Sequence, residues 1–354
     1  MIPVTKTFLP SQSEYQAILS KAWDAGWMTN RGVLVKELEE KLKSYLNVPN
    51  IIATTNGTLP LQIAIKALGL EGEIITTPFS YVATTASIVW EGCTPVFVDI
   101  NPEYLTIDES KIEDAITNKT IGILATHVFG NPCAVEKIDL IAKKYGLKVI
   151  YDAAHCFGVQ YKGKSIFEFG DISTCSFHAT KLFHTGEGGA IFTNDDELHL
   201  KLFSYHNFGH KGQEDFSGLG INAKMSELQA AMGLAVLPYM KSILEQRKRI
   251  TDFYDKNLNF LNLQKIKLRE ETSWNYSYYP VLFKTEEQLI VVKELLNKND
   301  VFPRRYFYPS LNSLPYLDRV SMPISDSISK RILCLPVYNL LSEEDLTLIC
   351  RNIF

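Results

Sequence analysis

From residue 74 onward, short apolar runs alternate with segments of helical periodicity. Strand-like runs at 74–77, 95–99, 121–128 and 148–151 are separated by helical patterns at 82–90, 109–116 and 135–145. Such alternation predicts a mainly parallel sheet with helices on both faces. The runs Ile-Gly-Ile-Leu-Ala at 121–125 and Lys-Val-Ile-Tyr at 148–151 are apolar enough for burial on both sides. In such sheets, ligands gather at the carboxyl ends of the strands. Tyr81, Asp152 and His155 fall there.

The chain has 354 residues, 46% hydrophobic and 21% charged, which suits a large domain plus a smaller one. A long helical pattern at 225–258 is interrupted at Pro238, where proline should kink it. The boundary is therefore expected there, with a large domain at 1–237 and a smaller α+β domain at 238–354. The latter should hold an aromatic strand at 274–283, a helix at 286–297, an aromatic loop with two arginines at 302–312, a short strand at 332–335 and a last helix opened by Ser342. A formal charge of −4 and a pI near 6.0 give no reason to expect nucleic acid. No segment has the apolar length of a membrane span, and residues 1–10 lack a secretory h-region, so a cytoplasmic location is expected. The six cysteines stand singly, without metal-site or disulfide spacing, so no metal is expected and the thiols should be free.

One stretch, residues 171–193, concentrates chemistry. Lys181 stands in a polar turn between two β-rich runs bounded by Gly170 and by Gly186, Gly188 and Gly189. Held by two strands, such a lysine is open to desolvation, which lowers its pKa until the neutral amine can condense with an aldehyde. Taken alone, it reads more readily as a solvated surface charge, as most loop lysines are. Upstream, Asn56-Gly57-Thr58 opens a helix with Pro60 in its first turn. The free amides and positive dipole end there suit a phosphate, as they also suit a plain cap. Asp152 ends a buried strand and Tyr81 follows another, each explicable as a strand-end cap or a core aromatic. Together, an anion site, an aromatic, a carboxylate and a lysine form the set that pyridoxal phosphate requires. The hexapeptide 27–32, with Thr29 at its centre, is a further ligand-facing candidate or an ordinary turn.

The chain resembles the DegT/DnrJ/EryC1/StrS sugar aminotransferases, of the aspartate-aminotransferase type I fold. The likeness runs through Asn56-Gly57-Thr58, 77–84, 95–99, Tyr151-Asp152-Ala153-Ala154-His155, 176–181, Glu187-Gly188-Gly189-Ala190 and Gly220-Ile221-Asn222. It implies that Lys181 binds the cofactor covalently and shuttles protons, while Asp152 pairs with the pyridine nitrogen and Tyr81 stacks on the ring. Gly57, Thr58, the amide of Leu59 and Ser176 would hold the phosphate. Asn222 would reach the cofactor of a neighbouring subunit, making a homodimer the active unit. His155, where many relatives carry glutamine, would approach the ring oxygen, its protonation state open. The resemblance further implies L-glutamate as donor and a nucleotide-linked keto sugar as acceptor. The turn at 182–187 and the loop at 304–309 are most like members acting at C-4 of dTDP-4-keto-6-deoxyhexoses. Thr29, His184, Arg305, Tyr306 and Tyr308 are the expected acceptor contacts. Amination at C-3, or a UDP or GDP carrier, is the alternative within the family. A sugar dehydratase is disfavoured because Lys181 is present. A non-catalytic regulator would be free to lose Asp152 and the phosphate contacts, and this chain keeps them.

Overall fold

The apolar runs assemble into one seven-stranded sheet in a computed structural model that describes residues 1–353. Its strands are Ile51–Thr54 (β1), Glu73–Thr76 (β2), Thr94–Phe97 (β3), Thr120–Thr126 (β4), Lys148–Asp152 (β5), Ile172–Ser176 (β6) and Gly189–Phe192 (β7). They lie in the order β1-β7-β6-β5-β4-β2-β3. All are mutually parallel except β7, which runs against both neighbours.

Neighbouring residues on each strand serve opposite faces, as the pleat requires. Ile75, Ile123 and Val149 join one core, with Leu34, Leu38 and Leu42 of Val33–Leu46 and Ala230 and Leu234 of Glu227–Val236. Ile74, Leu124 and Ile150 join another, with Leu61, Ala64 and Ile65 of Leu59–Ala67 and with Leu202 of Asp196–Tyr205. Both faces are thus covered by helices, and each carries buried apolar side chains from the same strands.

Two expected elements come out differently, and the long helical pattern is interrupted at the proline, as expected. The pattern at 109–116 forms two short 3₁₀ turns, Glu109–Lys111 and Glu113–Ala115. Asp108 accepts the Ser110 N–H and O–H, favouring a tight turn, and a segment this short cannot sustain a regular helix. The long helical pattern splits into Glu227–Val236 and Met240–Asn257, joined by a 3₁₀ turn at Leu237–Tyr239 around Pro238, which lacks an N–H to continue the ladder. The aromatic strand is confined to Tyr279–Phe283, because the side chains at 274–277 are engaged elsewhere.

Beyond Pro238, Leu263–Lys265 (β8), Tyr279–Phe283 (β9) and Ile332–Leu335 (β10) make an antiparallel sheet in the order β8-β9-β10. It packs on Met240–Asn257, Glu286–Lys298 and Glu343–Arg351 around a separate core including Ile250, Tyr254, Val281, Leu289, Leu333 and Leu346. The N-terminal Ile2–Pro3, expected with the larger unit, pairs in parallel with Val301–Phe302 and sends Ile2 into this second core.

A carboxylate ties the two sheets together. Helix Pro323–Arg331 has no side-chain cap of its own. Asp99, just beyond β3, accepts the N–H of Ile324 at 2.8 Å and of Ser325 at 2.9 Å. Both the freed amides and the helix dipole favour the negative charge there. Asp99→Ala is expected to lower unfolding stability by about 1–2 kcal/mol, with Asp99→Asn retaining most of it, measured by urea titration followed by tryptophan fluorescence. An unchanged Asp99→Ala midpoint would show that the cap is not stabilising.

Candidate active site

Strand direction decides which side chains meet. β1, β5 and β6 end at the edge where β7 begins, and Gly189 stands opposite both Thr54 and Ser176. The loops after β1 and β6 therefore converge with the one before β7. The approach is close: a Cβ at Gly189 would run into the Asn56 carbonyl, and one at Gly57 would lie 2.7 Å from the Ser176 Cβ. Only glycine fits at either place.

At this edge lies a cavity of about 250 Å³. Gly57, Thr58, Tyr81, Asp152, His155, Ser176 and Lys181 all line it. The second unit closes it with Tyr278, Arg304, Tyr306 and Phe307.

Asp152 is buried, 5% exposed. Its Oδ2 accepts the Thr84 hydroxyl at 2.7 Å, and its Oδ1 accepts the Ala154 N–H at 3.1 Å. Thr84 lies 2.7 Å from the Ser80 hydroxyl, which accepts from Thr126 at 2.9 Å, so buried hydroxyls from three elements orient the carboxylate. Burial raises its pKa, and the Thr84 O–H, the Ala154 N–H and the charge of Lys181 oppose this without cancelling it. The carboxylate is thus short of positive charge.

Lys181 is partly buried, its Nζ donating to the Tyr278 hydroxyl at 3.4 Å. Burial lowers its pKa, and Asp152 heads the charges that resist. Each ionisable group is displaced toward its neutral form, and in each case desolvation outweighs the neighbouring charge.

His155 Nδ1 accepts the Phe129 N–H at 3.0 Å, and the ring stacks near Phe307 with centroids 5.7 Å apart. Burial, then Lys181, push its pKa well down. The accepting Nδ1 and the lowered pKa both favour the neutral imidazole with its proton on Nε2.

The anion corner differs in detail from expectation. Asn56 Oδ1 accepts the amides of both Thr58 and Leu59 at 2.9 Å, so the Leu59 amide is already capped. The exposed Thr58 and the partly exposed Ser176 hydroxyl remain at the cavity surface beside Gly57. Tyr81 is 58% exposed with its ring on the cavity.

The expected acceptor residues scatter. Tyr306 lines the cavity. Arg305 points away, donating to Glu286 at 2.6 Å and to the Lys330 carbonyl at 3.0 Å, with Tyr308 beneath its guanidinium. Its neighbour Arg304 takes the cavity position, 3.1 Å from the Tyr306 hydroxyl and without a carboxylate among the described residues. His184 is buried between the Phe8 carbonyl, 2.6 Å from Nε2, and the Gly186 N–H, and it does not reach the cavity. Thr29 and Asn222 are exposed and lie outside it. Sequence reading missed Tyr278, His178 and Glu187 as cavity residues. The last two flank Lys181 in its own turn, a proximity that was legible.

These residues fit pyridoxal phosphate. A buried carboxylate lacking a cation suits a protonated pyridine nitrogen, a desolvated amine suits an aldehyde, and a cradle that excludes any Cβ at Gly57 suits a phosphate.

Comparison with known proteins agrees. Residues 11–354 match the DegT/DnrJ/EryC1/StrS aminotransferase family. Proteins named dTDP-4-amino-4,6-dideoxy-D-glucose transaminase from Escherichia coli and Shigella dysenteriae are each 41% identical. The first alignment covers 97% of this chain and 95% of that protein, the second 99% and 97%. The crystal structure of DesI in the presence of its TDP-sugar product superposes with a TM-score of 0.93 at 31% identity, covering 99% of this chain and 91% of that one.

In cofactor-free protein, trinitrobenzenesulfonate is expected to modify Lys181 faster at pH 8 than it modifies surface lysines, since a lowered pKa leaves more neutral amine. Asp152→Asn removes a charge that holds this pKa up, so the midpoint of modification should fall further. A midpoint that rises in Asp152→Asn would contradict the electrostatics described.

Proposed function

We propose a substrate for this chain, which belongs to the DegT/DnrJ/EryC1/StrS aminotransferase family: it moves the amino group of L-glutamate to C-4 of a dTDP-linked 4-keto-6-deoxyhexose. The products are dTDP-4-amino-4,6-dideoxy-D-glucose and 2-oxoglutarate. The observation that carries this reading is the 41% identity, over nearly the whole chain, to two proteins named for that product.

Pyridoxal phosphate supplies the aldehyde and the electron-withdrawing ring that such a transfer needs. In this reading Lys181 Nζ is its attachment point and then the base, taking a proton from the donor's α-carbon and later returning one. Asp152 holds the ring nitrogen, kept ionised there by the positive charge it otherwise lacks. His155 offers its Nε2–H to the ring oxygen, Tyr81 covers a ring face, and the hydroxyls of Thr58 and Ser176 hold the phosphate. Phe307 and Tyr278 exclude water from the lysine side. Arg304, with no carboxylate partner among the described residues, takes the pyrophosphate of the acceptor, and Tyr306 lies against the sugar. Arg305, engaged by Glu286, does not serve this role.

We also read the active unit as a homodimer. Asn222 is exposed outside its own cavity, and Phe208, Leu219 and Ile221 nearby are exposed apolar side chains. The partner's cavity is the destination we assign to Asn222.

Lys181→Ala should fold normally but lose turnover and the visible absorption of lysine-bound cofactor, because one nucleophile is removed and no core volume. Near wild-type turnover in that variant would remove Lys181 from catalysis. Arg304→Ala should raise the KM for the nucleotide sugar about tenfold or more, while Arg305→Ala leaves it near wild type. The reverse pattern would reassign the pyrophosphate contact. Product analysis across dTDP-, UDP- and GDP-linked 3-keto and 4-keto sugars tests the substrate itself. Amination at C-3, or preference for another nucleotide, would overturn the substrate while leaving the family assignment intact.

A further inference from the structure

Tyr278 is the hydrogen-bond partner of the reactive amine among the described residues. Its hydroxyl lies 3.4 Å from Lys181 Nζ, and its ring is 5.9 Å from that nitrogen. It comes from the second unit, in the segment between the strands Thr272–Ser273 and Tyr279–Phe283.

That segment is pinned to the cavity wall with unusual density. Asn275 donates to the carbonyls of His155 at 2.8 Å and Phe157 at 3.0 Å. Ser277 donates to the same His155 carbonyl at 2.8 Å, and Trp274 donates to the Phe129 carbonyl at 2.8 Å. The loop that carries His155 is therefore locked to the residues just before Tyr278.

From behind, Arg247 of Met240–Asn257 donates to the carbonyls of Tyr276 and Ser277. Arg247 is 4% exposed, its Nε has no partner, and no carboxylate pairs with it among the described residues. Burial pulls its pKa down to about 10. A buried guanidinium spent on two backbone carbonyls is a costly arrangement. Its evident product is a fixed backbone on the N-terminal side of Tyr278.

We propose that Tyr278 is a catalytic residue, whose hydroxyl holds and orients the Lys181 amine during proton transfer. The proton account is closed: Nζ takes one proton from the donor's α-carbon, becoming ammonium, and would deliver it to the former aldehyde carbon of the bound cofactor, regenerating the free amine, with the opposite order for the acceptor. Tyr278 keeps its own proton, accepting a hydrogen bond from the ammonium and donating one to the free amine. Burial drives the Tyr278 pKa upward, so the hydroxyl stays protonated throughout. The other titratable groups facing the lysine are Asp152, His155, Cys175, Tyr81 and Tyr306.

This inference rests on Lys181 as the reactive amine, and the Lys181→Ala variant tests that premise separately. The informative pair is Tyr278→Phe, which keeps the ring, and Tyr278→Leu, which does not. In cofactor-free protein the pH midpoint for trinitrobenzenesulfonate modification of Lys181 should fall by about one unit in Tyr278→Phe, because the charge-assisted bond to the ammonium is the stronger of the two it loses. In the cofactor-loaded enzyme, the single-turnover rate with glutamate should drop about tenfold, with the glutamate concentration for half-maximal rate and the thermal midpoint unchanged. A Tyr278→Phe protein that matches wild type in both midpoint and rate overturns the proposal. So does a Tyr278→Phe protein that loses as much thermal stability as Tyr278→Leu, since the hydroxyl would then be supporting the fold instead of the amine.

Discussion

Everything in the site depends on the parallel pairing of β5 between β4 and β6. Asp152 stands in register with Thr126 on one side and Thr174 on the other. A carboxylate at the end of a central strand has little access to water, since helices cover both faces and only the cavity is open to it. The fold supplies hydroxyls instead, through Thr84 and the chain that leads back to Ser80 and Thr126. Neutral donors orient a charge but do not neutralise it. The result is a site poised for a cation that the protein itself does not provide.

Lys181 mirrors this arrangement. Burial is the leading influence on both groups, and it acts in opposite senses on an acid and an amine. Were the two a tight ion pair, the Coulomb attraction would stabilise both charges and the lysine would be a poor nucleophile. Here Nζ is engaged by a phenol, and Asp152 by hydroxyl and amide groups. Each stays available to a ligand that lies between them.

The second unit contributes more than a lid of apolar surface. Its Phe307 stacks on Phe129 and His155 of the first unit, and its Tyr278 is tilted 56° against His155. Asp99 caps a helix of this unit from the first sheet, and Asn275 and Ser277 reach back to the loop after β5. Polar contacts of this kind are directional, so they set the angle between the two units in a way that apolar burial would not.

Much of this was legible in the chain itself. The alternation of apolar runs and helical periods implied a mainly parallel sheet, since only buried strands can be apolar on both faces. The residue types at the ends of those strands pointed to one ligand chemistry, and the structure gathers Gly57, Thr58, Tyr81, Asp152, Ser176 and Lys181 around one cavity. Other features had no local mark. The four residues Gly-Ala-Ile-Phe of β7 carry no sign of direction, and its reversal follows only from its pairing with β1 and β6. Arg304 and Arg305 are adjacent and chemically identical. Glu286, from a helix nineteen positions earlier, removes one of them from the cavity. His184 belongs to the lysine's own turn, yet Phe8 claims it from the far N-terminus. Sequence determines which chemistries are present and which strand ends can carry them, because period and residue type are local. Which of two equal side chains faces a ligand depends on partners remote in the chain, and only the tertiary structure brings those together.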